Sequence, residues 1–295
     1  MIIAIYGRPS DATILPEIEQ LFAKLKSLNV EVVVHDVFYA FLNKRTDLSL
    51  LMEGCKTFSR HEQLTGKANF LLSIGGDGTL LETISLVRDS AIPILGINTG
   101  RLGFLATVSR DNIDSAVQAL IDNKYSVDRR TLLHLETEQA IFGDLDFALN
   151  EMTVHARDSS VMMTIHTYIN EEYLNSYWAD GLIIATPTGS TAYSLSCGGP
   201  IMIPDSKSFI ITPISPHNLN ARPLVISDND VVTLKMEGRS KSFMVSLDSQ
   251  SKMVESSGVL KVRKEDFQIS LVRLNGQNFI QTLRNKLLWG MDKRN

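Results

Sequence analysis

The sequence predicts an α/β domain built on a parallel sheet, then a β-rich, sandwich-like domain, and a final helix that returns to the first domain. Three observations predict this. Up to about residue 124, apolar strand-like runs alternate with helical stripes, and such alternation favours a parallel sheet covered on both faces. From Tyr125 to about Leu274, short β-favouring runs separated by polar and glycine-containing turns take over. The chain then closes with Phe279, Ile280, Leu283, Leu287 and Leu288 at helical spacing over residues 278–289, an apolar face that needs cover. The expected domains are residues 1–124, joined by 275–295, and residues 125–274.

Element by element, residues 2–6 form a continuous apolar run ended by Gly7, the pattern of a buried parallel strand. Ile14, Leu15, Ile18, Leu21, Phe22, Leu25 and Leu28 make one helical face. Residues 30–34 read as a second strand, whereas residues 38–66 give no clear pattern. A strand at 70–74, a helix at 80–87, a strand at 92–97 and a helix at 113–121 complete the first domain. In the second, runs at 132–136, 151–156, 162–168, 182–185, 231–236, 243–247 and 267–272 read as strands.

Composition narrows the function classes. The 295 residues carry a net charge of −4, so bulk attraction to nucleic acid or acidic membranes is absent. Hydrophobic residues at 44% and charged residues at 21% describe an ordinary globular chain. Two cysteines, Cys55 and Cys197, build no disulfide framework and no zinc knuckle, and the six histidines show no metal-ligand spacing. No residue is assigned to a resident metal. The N-terminal apolar run is too short for a signal peptide or a membrane span, so the expected location is cytoplasmic.

The strongest local signal is Gly75-Gly76-Asp77-Gly78-Thr79, which follows an apolar strand and opens a helix. Glycines at such a junction let backbone approach a phosphate, and the helix N-terminus supplies N–H donors and positive dipole. An aspartate there repels phosphate unless it binds magnesium or accepts a proton. Alone, the loop equally fits a tight turn in which Asp77 caps the helix. The first loop, Gly7-Arg8-Pro9-Ser10, lacks the dinucleotide fingerprint, and Gly66-Lys67-Ala68 is not a P-loop.

A second signal runs from Asp180 to Pro200. A short apolar strand leads into a segment dense in Thr, Ser and Gly with one aromatic, Tyr193. That density of hydroxyls and amides suits a polar ligand, although a surface loop has the same composition. Asn150 and Glu151 interrupt an apolar segment, as either a turn or a ligand site. Arg101 follows the strand at 92–97, at the carboxyl edge where open α/β sheets bind ligands, and could meet a phosphate or solvent.

Together these segments resemble the NAD kinase family. IGGDGT at 74–79, INTGRLGFLA at 97–106, LNE at 149–151, DGLIIATPTGSTAYSLSCGGP at 180–200 and TPISPHNLNARPL at 212–224 are similar to its signatures in order and separation. GGDGT alone is shared with lipid kinases and phosphofructokinase-like enzymes. The resemblance implies a Rossmann-like N-terminal domain, a β-rich C-terminal domain with the active site between them, and a homodimer or homotetramer. It implies ATP as donor, with magnesium as the usual divalent ion, and NAD as acceptor. Asp77 matches the family's proton acceptor. Asp77, Gly78, Phe104, Asn150, Glu151, Asp180, Thr191, Ala192, Tyr193, Ser194, Leu195, Ser196 and Gln250 match dinucleotide-binding positions. Gly75, Gly76, Gly78 and Thr79 of the glycine loop, with Arg101 from the separate 97–106 segment, are the expected phosphate and ATP contacts. Trp178 and Ala179 stand where many relatives carry arginine or small polar residues, which leaves NAD against NADH open. The competing readings are a lipid or sphingoid-base kinase, which needs an apolar acceptor pocket, and a non-catalytic dinucleotide sensor, which has no use for Asp77.

Overall fold

Alternation of apolar strands and amphipathic helices sets the first part of the chain. In order come β1 (Ile2–Gly7), α1 (Leu15–Ser27), β2 (Glu31–His35), α2 (Asp36–Leu42), α3 (Thr46–Leu51), β3 (Lys56–Phe58), β4 (Phe70–Ile74), α4 (Asp77–Val87), β5 (Ile94–Asn98), β6 (Val108–Ser109) and α5 (Ile113–Ile121). The structure, a computed structural model, describes residues 1–9, 14–44, 46–100, 103–156, 162–238, 242–255 and 258–289. Arg101 and Ser10 lie outside the described residues. The chain divides into two compact units, residues 1–129 with 269 onward, and residues 130–268.

In the first unit the strands run parallel in the order β3-β2-β1-β4-β5, with β6 parallel to β5. This is the Rossmann-like order, whose direction of winding reverses between β1 and β4. β4 and β5 are buried throughout, which is why they read as mainly apolar runs, broken only by the buried Ser73 and ended by the buried Asn98. One face of the sheet, including Val34, Leu72, Leu95 and Ile97, shares a core with Ile18, Leu21, Phe22 and Leu25 of α1 and Val117 and Leu120 of α5. Residues alternate across a strand, so Gly96 faces the other way, where a Cβ would stand 2.8 Å from Leu80 of α4. Helices therefore cover both faces. Near the chain's end Leu271 pairs parallel with Ile94. The closing helix, Phe279–Leu287, is capped by Asn278, whose side chain accepts from the Gln281 N–H at 2.7 Å.

The second unit is antiparallel. Its elements are β7 (Tyr125–Thr137, entering from the first unit), β8 (Phe147–Ala148), β9 (Glu151–Ala156), β10 (Met163–Ile169), β11 (Glu172–Ala179), β12 (Gly181–Ala185), α6 (Tyr193–Ser196), β13 (Ser208–Ile214), β14 (Leu224–Ser227), β15 (Val232–Glu237), β16 (Ser242–Leu247), β17 (Gln250–Glu255) and β18 (Val259–Leu274, which leaves for the first unit). β14-β13-β12-β9-β16-β17 form one sheet, and β11-β10-β15-β18 another run of antiparallel strands. Alternate residues of both, among them Val154, Leu182, Phe209 and Val245 from the first and Ile165, Tyr177, Leu234 and Leu260 from the second, meet in one core. Two layers around a shared core satisfy the sandwich-like expectation.

The boundaries of the compact units fall at 129/130 and 268/269 instead of 124/125 and 274/275. Both fall inside long strands, β7 and β18, so no loop or composition change marks them. Residues 38–66 hold α2, α3, β3 and a short 3-10 turn at His61–Gln63, elements of three to seven residues that are too short to establish a period.

Candidate functional site

The glycine loop lies at the carboxyl end of β4, beside the reversal point of the first unit's sheet. Gly75 has φ +153°, and a Cβ on it would stand 2.3 Å from Thr79 Oγ1, so only glycine fits. Gly76 and Gly78 have open space where a Cβ would be. The fold does not demand glycine there on steric grounds, and the free space is what an approaching phosphate requires. Helix α4 begins at Asp77, three residues earlier than its apolar pattern, with the N–H groups of Thr79 and Leu80 already bonded to Gly76 O. A cavity of ≈ 190 Å³ next to the loop is lined by Arg8, Phe38, Gly75, Gly76, Thr79 and Thr99, among others.

Asp77 is neither a helix cap nor a free carboxylate. Its Oδ2 accepts from Phe104 N–H at 2.8 Å, and its Oδ1 from Leu105 and Ala106 N–H at 3.1 and 2.9 Å. It thereby fixes the segment that carries Phe104. The Phe104 ring packs 6.4 Å from that of Phe279, with Lys286 Nζ 5.9 Å from its centroid. A carboxylate offers about four acceptor positions, so one remains for a hydroxyl. Nearby, Glu82 accepts from Tyr6 Oη at 2.7 Å and from both Arg8 Nε and Arg8 Nη2, at 2.8 and 2.6 Å. Burial alone would push Glu82 up, but the hydrogen bonds from Arg8 and Tyr6 hold it below the usual range.

In the second unit the register of one sheet gathers the remaining residues. Glu151 opens β9 opposite Ala185, the end of β12, and Met152 stands opposite Leu247, the end of β16. Asn150 and Glu151 thus share an edge with the loop after β12 and the turn after β16. Thr186 N–H donates to Asn150 O at 2.9 Å, Thr186 Oγ1 to Leu149 O at 2.6 Å, and a Cβ on Gly189 would stand 2.1 Å from Asn150 O. At the far end of β9, His155 pairs with Gly181, next to Asp180. The Tyr193 ring stacks on His155 with centroids 6.0 Å apart, and Tyr193 offers its backbone N–H to the Glu151 carboxyl. Asp180, Glu151, Tyr193, His155 and Cys197 therefore form one group. Burial lowers the His155 pKa against the pull of Asp180, and it raises those of Tyr193 and Cys197.

The hydroxyls of the 186–196 segment behave differently from their sequence reading. Ser190 donates to Pro187 O at 2.6 Å, Thr191 to Thr188 O at 3.2 Å, and Ser194 bonds Thr212 Oγ1 at 2.8 Å in the interior. They lock the loop. What it presents outward is the half-exposed Tyr193, Ser196 and the partly exposed Ala192 and Leu195. Gln250, exposed, begins β17 two residues after Asp248. Trp178 is 51% exposed, its ring centroid 5.3 Å from that of His217.

Sequence reasoning missed Asp248 and His155. Asp248 accepts from the N–H groups of Leu149, Asn150 and Glu151, a relation that only strand register creates. His155 could have been found as the one imidazole in the strand-like run Glu151–Ala156, two and four residues after Thr153 and Glu151 on the same face. One more constellation joins distant positions: His134 Nδ1 lies 2.9 Å from Glu265 Oε2 and 3.6 Å from Asp146 Oδ1. The contact to Glu265 is a direct hydrogen bond between imidazole and carboxylate.

Comparison with known proteins follows the same division. Residues 3–125 match the ATP-NAD kinase N-terminal domain and residues 149–274 the ATP-NAD kinase C-terminal domain. The chain is 52% identical to the NAD kinase of Flavobacterium johnsoniae over 297 aligned residues, and 47% identical to that of Cytophaga hutchinsonii over 295, with 100% of each chain covered. Among solved structures it resembles an NAD kinase from Archaeoglobus fulgidus in complex with ATP, at 26% identity, TM-score 0.75 and coverage of 98% and 99%. It shares its fold with yeast NADH kinase complexed with NADH, at 22% identity, TM-score 0.86 and coverage of 98% and 88%.

Proposed function

This chain belongs to the NAD kinase family, and from that premise we propose how its residues divide the work. As an NAD kinase it transfers the γ-phosphoryl group of ATP to the 2′-hydroxyl of the adenosine ribose of NAD. The ribose oxygen forms the new P–O bond, the bond to the β-phosphate bridging oxygen breaks, and NADP, ADP and a proton result. Such transfer depends on positioning and charge neutralisation more than on covalent help from the protein.

In this reading the amides of residues 76–78, at the N-terminus of α4, receive the phosphates of ATP together with Arg101, while those of Gly75 and Thr79 are bonded to Ile97 O and Gly76 O and hold the loop's shape. The open space over Gly76 and Gly78 supports that role. Magnesium enters with ATP as part of the substrate. The Asp77 and Glu82 carboxylates are already engaged, by three backbone N–H groups and by Tyr6 and Arg8. Asp77 takes the ribose hydroxyl on its remaining acceptor position, either removing its proton or aligning it, while Phe104 lies beside the dinucleotide. Asn150, Glu151, Asp180 and Tyr193 hold the dinucleotide, with the backbone of Thr191–Ser196 and with Gln250 at the rim. The strand register supports this assignment, because it sets Asn150 and Glu151 beside the loop after β12 and Asp180 beside His155, on which the Tyr193 ring stacks.

The observation that carries the reading is the pairing of an open-topped glycine loop at the sheet's reversal point with full-length similarity to NAD kinases. Incubation with ATP, magnesium and NAD must yield NADP. NADH in place of NAD, and polyphosphate in place of ATP, define the acceptor and donor ranges, with Trp178 the residue to exchange if NADH is taken. The family membership further supports a homodimer or homotetramer, which sedimentation measures, and a cytoplasmic location. Among the described residues no helix is long and apolar enough to cross a membrane.

A further inference from the structure

Asp248 opens the two-residue turn that joins β16 to β17, with φ +50°. Aspartate tolerates that left-handed conformation better than most residues. Because Leu247 stands opposite Met152, the turn comes to rest against the residues just before β9. Leu149 N–H donates to Asp248 Oδ2 at 2.8 Å, and Asn150 and Glu151 N–H donate to Oδ1 at 2.9 and 3.0 Å. The Asp248 N–H returns a bond to Glu151 O at 3.0 Å. Three consecutive amides converging on one carboxylate make an anion nest, here filled by the chain itself. A segment so held has no freedom to turn Asn150 or Glu151 away.

We propose that Asp248 is a positioning residue for the acceptor site, holding the Asn150–Glu151 turn through these three N–H groups so that both side chains meet the dinucleotide. The inference rests on the assignment of Asn150 and Glu151 to NAD. It also explains the state of Glu151, whose Oε2 is buried without a hydrogen-bond partner. Burial and the neighbouring Asp248 charge push the Glu151 carboxyl up to about 8, opposed only by the Tyr193 N–H. Asp248 itself is pushed by burial to about 6, with the three amides pulling it down. Near neutral pH Asp248 is thus the anion and Glu151 carries a proton, available to a ribose hydroxyl or a phosphate. Tyr193, Cys197 and, beyond them, Asp180 are the other titratable groups facing this point.

The test uses the whole chain with NAD as the probe. Asp248→Asn keeps a residue that accepts the left-handed turn, yet replaces one acceptor oxygen by an NH2 that opposes the donors. KM for NAD should rise roughly ten- to hundredfold with kcat within about threefold, the pattern of lost binding. The alkaline fall of kcat/KM for NAD should also move to lower pH by about half a unit or more, because the charge that holds the Glu151 proton is gone. In the unmodified protein, the amide resonances of Leu149, Asn150 and Glu151 should titrate together near pH 6, as Asp248 gains its proton. That measurement stands even if the variant does not fold. A lowered melting temperature with unchanged KM and pH profile, or three amides that titrate independently, overturns the proposal. If Asn150→Ala and Glu151→Gln leave KM for NAD unchanged, the assignment of the turn to NAD fails first, and the proposal with it.

Discussion

Gly103 lies so close to Asp77 that a Cβ on it would stand 1.8 Å from Asp77 Oδ1. The contact lets the following amides, Phe104 to Ala106, reach both oxygens of the carboxylate. Gly103→Ala should therefore displace Asp77 from its amides, at a cost of about 1–3 kcal/mol in stability. Turnover should fall at least as far as stability does. Thermal melting and NADP formation measured on the same preparation check both.

Asp77→Asn should cut turnover by about a hundredfold or more, in the range of lost acid–base assistance. The structure adds a second effect, because an amide group accepts at one oxygen only and its NH2 faces the N–H donors of the 104–106 segment. A drop in melting temperature should accompany the kinetic loss. Turnover within a few fold of the parent would remove Asp77 from the chemistry.

Two of the loop glycines, Gly75 and Gly78, should part company when replaced by alanine. Gly75→Ala forces a side chain into φ +153° against Thr79 and should destabilise the fold. Gly78→Ala adds a methyl group to open space within α4 and should stabilise by ~0.5–1 kcal/mol, as alanine does in helices. Its kcat/KM for ATP should nonetheless fall roughly tenfold if, as proposed, the phosphates approach over this loop, because the methyl group fills that space. Denaturant melts and steady-state kinetics on both variants separate a structural glycine from a functional one.

Glu151 and Asp248 make stability depend on pH in a stated direction. Both titrate higher in the folded chain, at about 8 and about 6, than their ordinary values of 4.5 and 3.8. The folded state then binds more protons than the unfolded state across that window, so stability should fall as pH rises from about 4.5 to about 8. Glu151→Gln should flatten the larger part of this slope and be more stable than the parent at about pH 8.5. Urea midpoints at the two ends of the window measure it.

The sheet strands were readable because β1, β4, β5 and β12 are buried on both faces and appear as mainly apolar runs without helical spacing. α1 and α5 were readable because each buries one stripe. β11 escaped notice: it is an edge strand whose Glu172, Tyr173 and Trp178 are exposed, so no alternation emerges. At the site, the GGDGT loop announced itself through local composition, and Asn150 and Glu151 as polar residues inside an apolar segment. The inward turn of Thr191 and Ser194, the clamp of Asp77 on 104–106 and that of Asp248 on 149–151 depend on partners 3 to 99 positions away. Local pattern carries no trace of the distant ones.

The central claim is that this chain makes NADP by moving a phosphoryl group onto the adenosine ribose. Its most direct measurement is phosphorus NMR of the purified protein with ATP, magnesium and NAD, followed over time. The account predicts ADP and a new 2′-phosphomonoester on the dinucleotide appearing in equal amounts, with both signals suppressed by Asp77→Asn. ADP released with inorganic phosphate and no phosphorylated dinucleotide would contradict it.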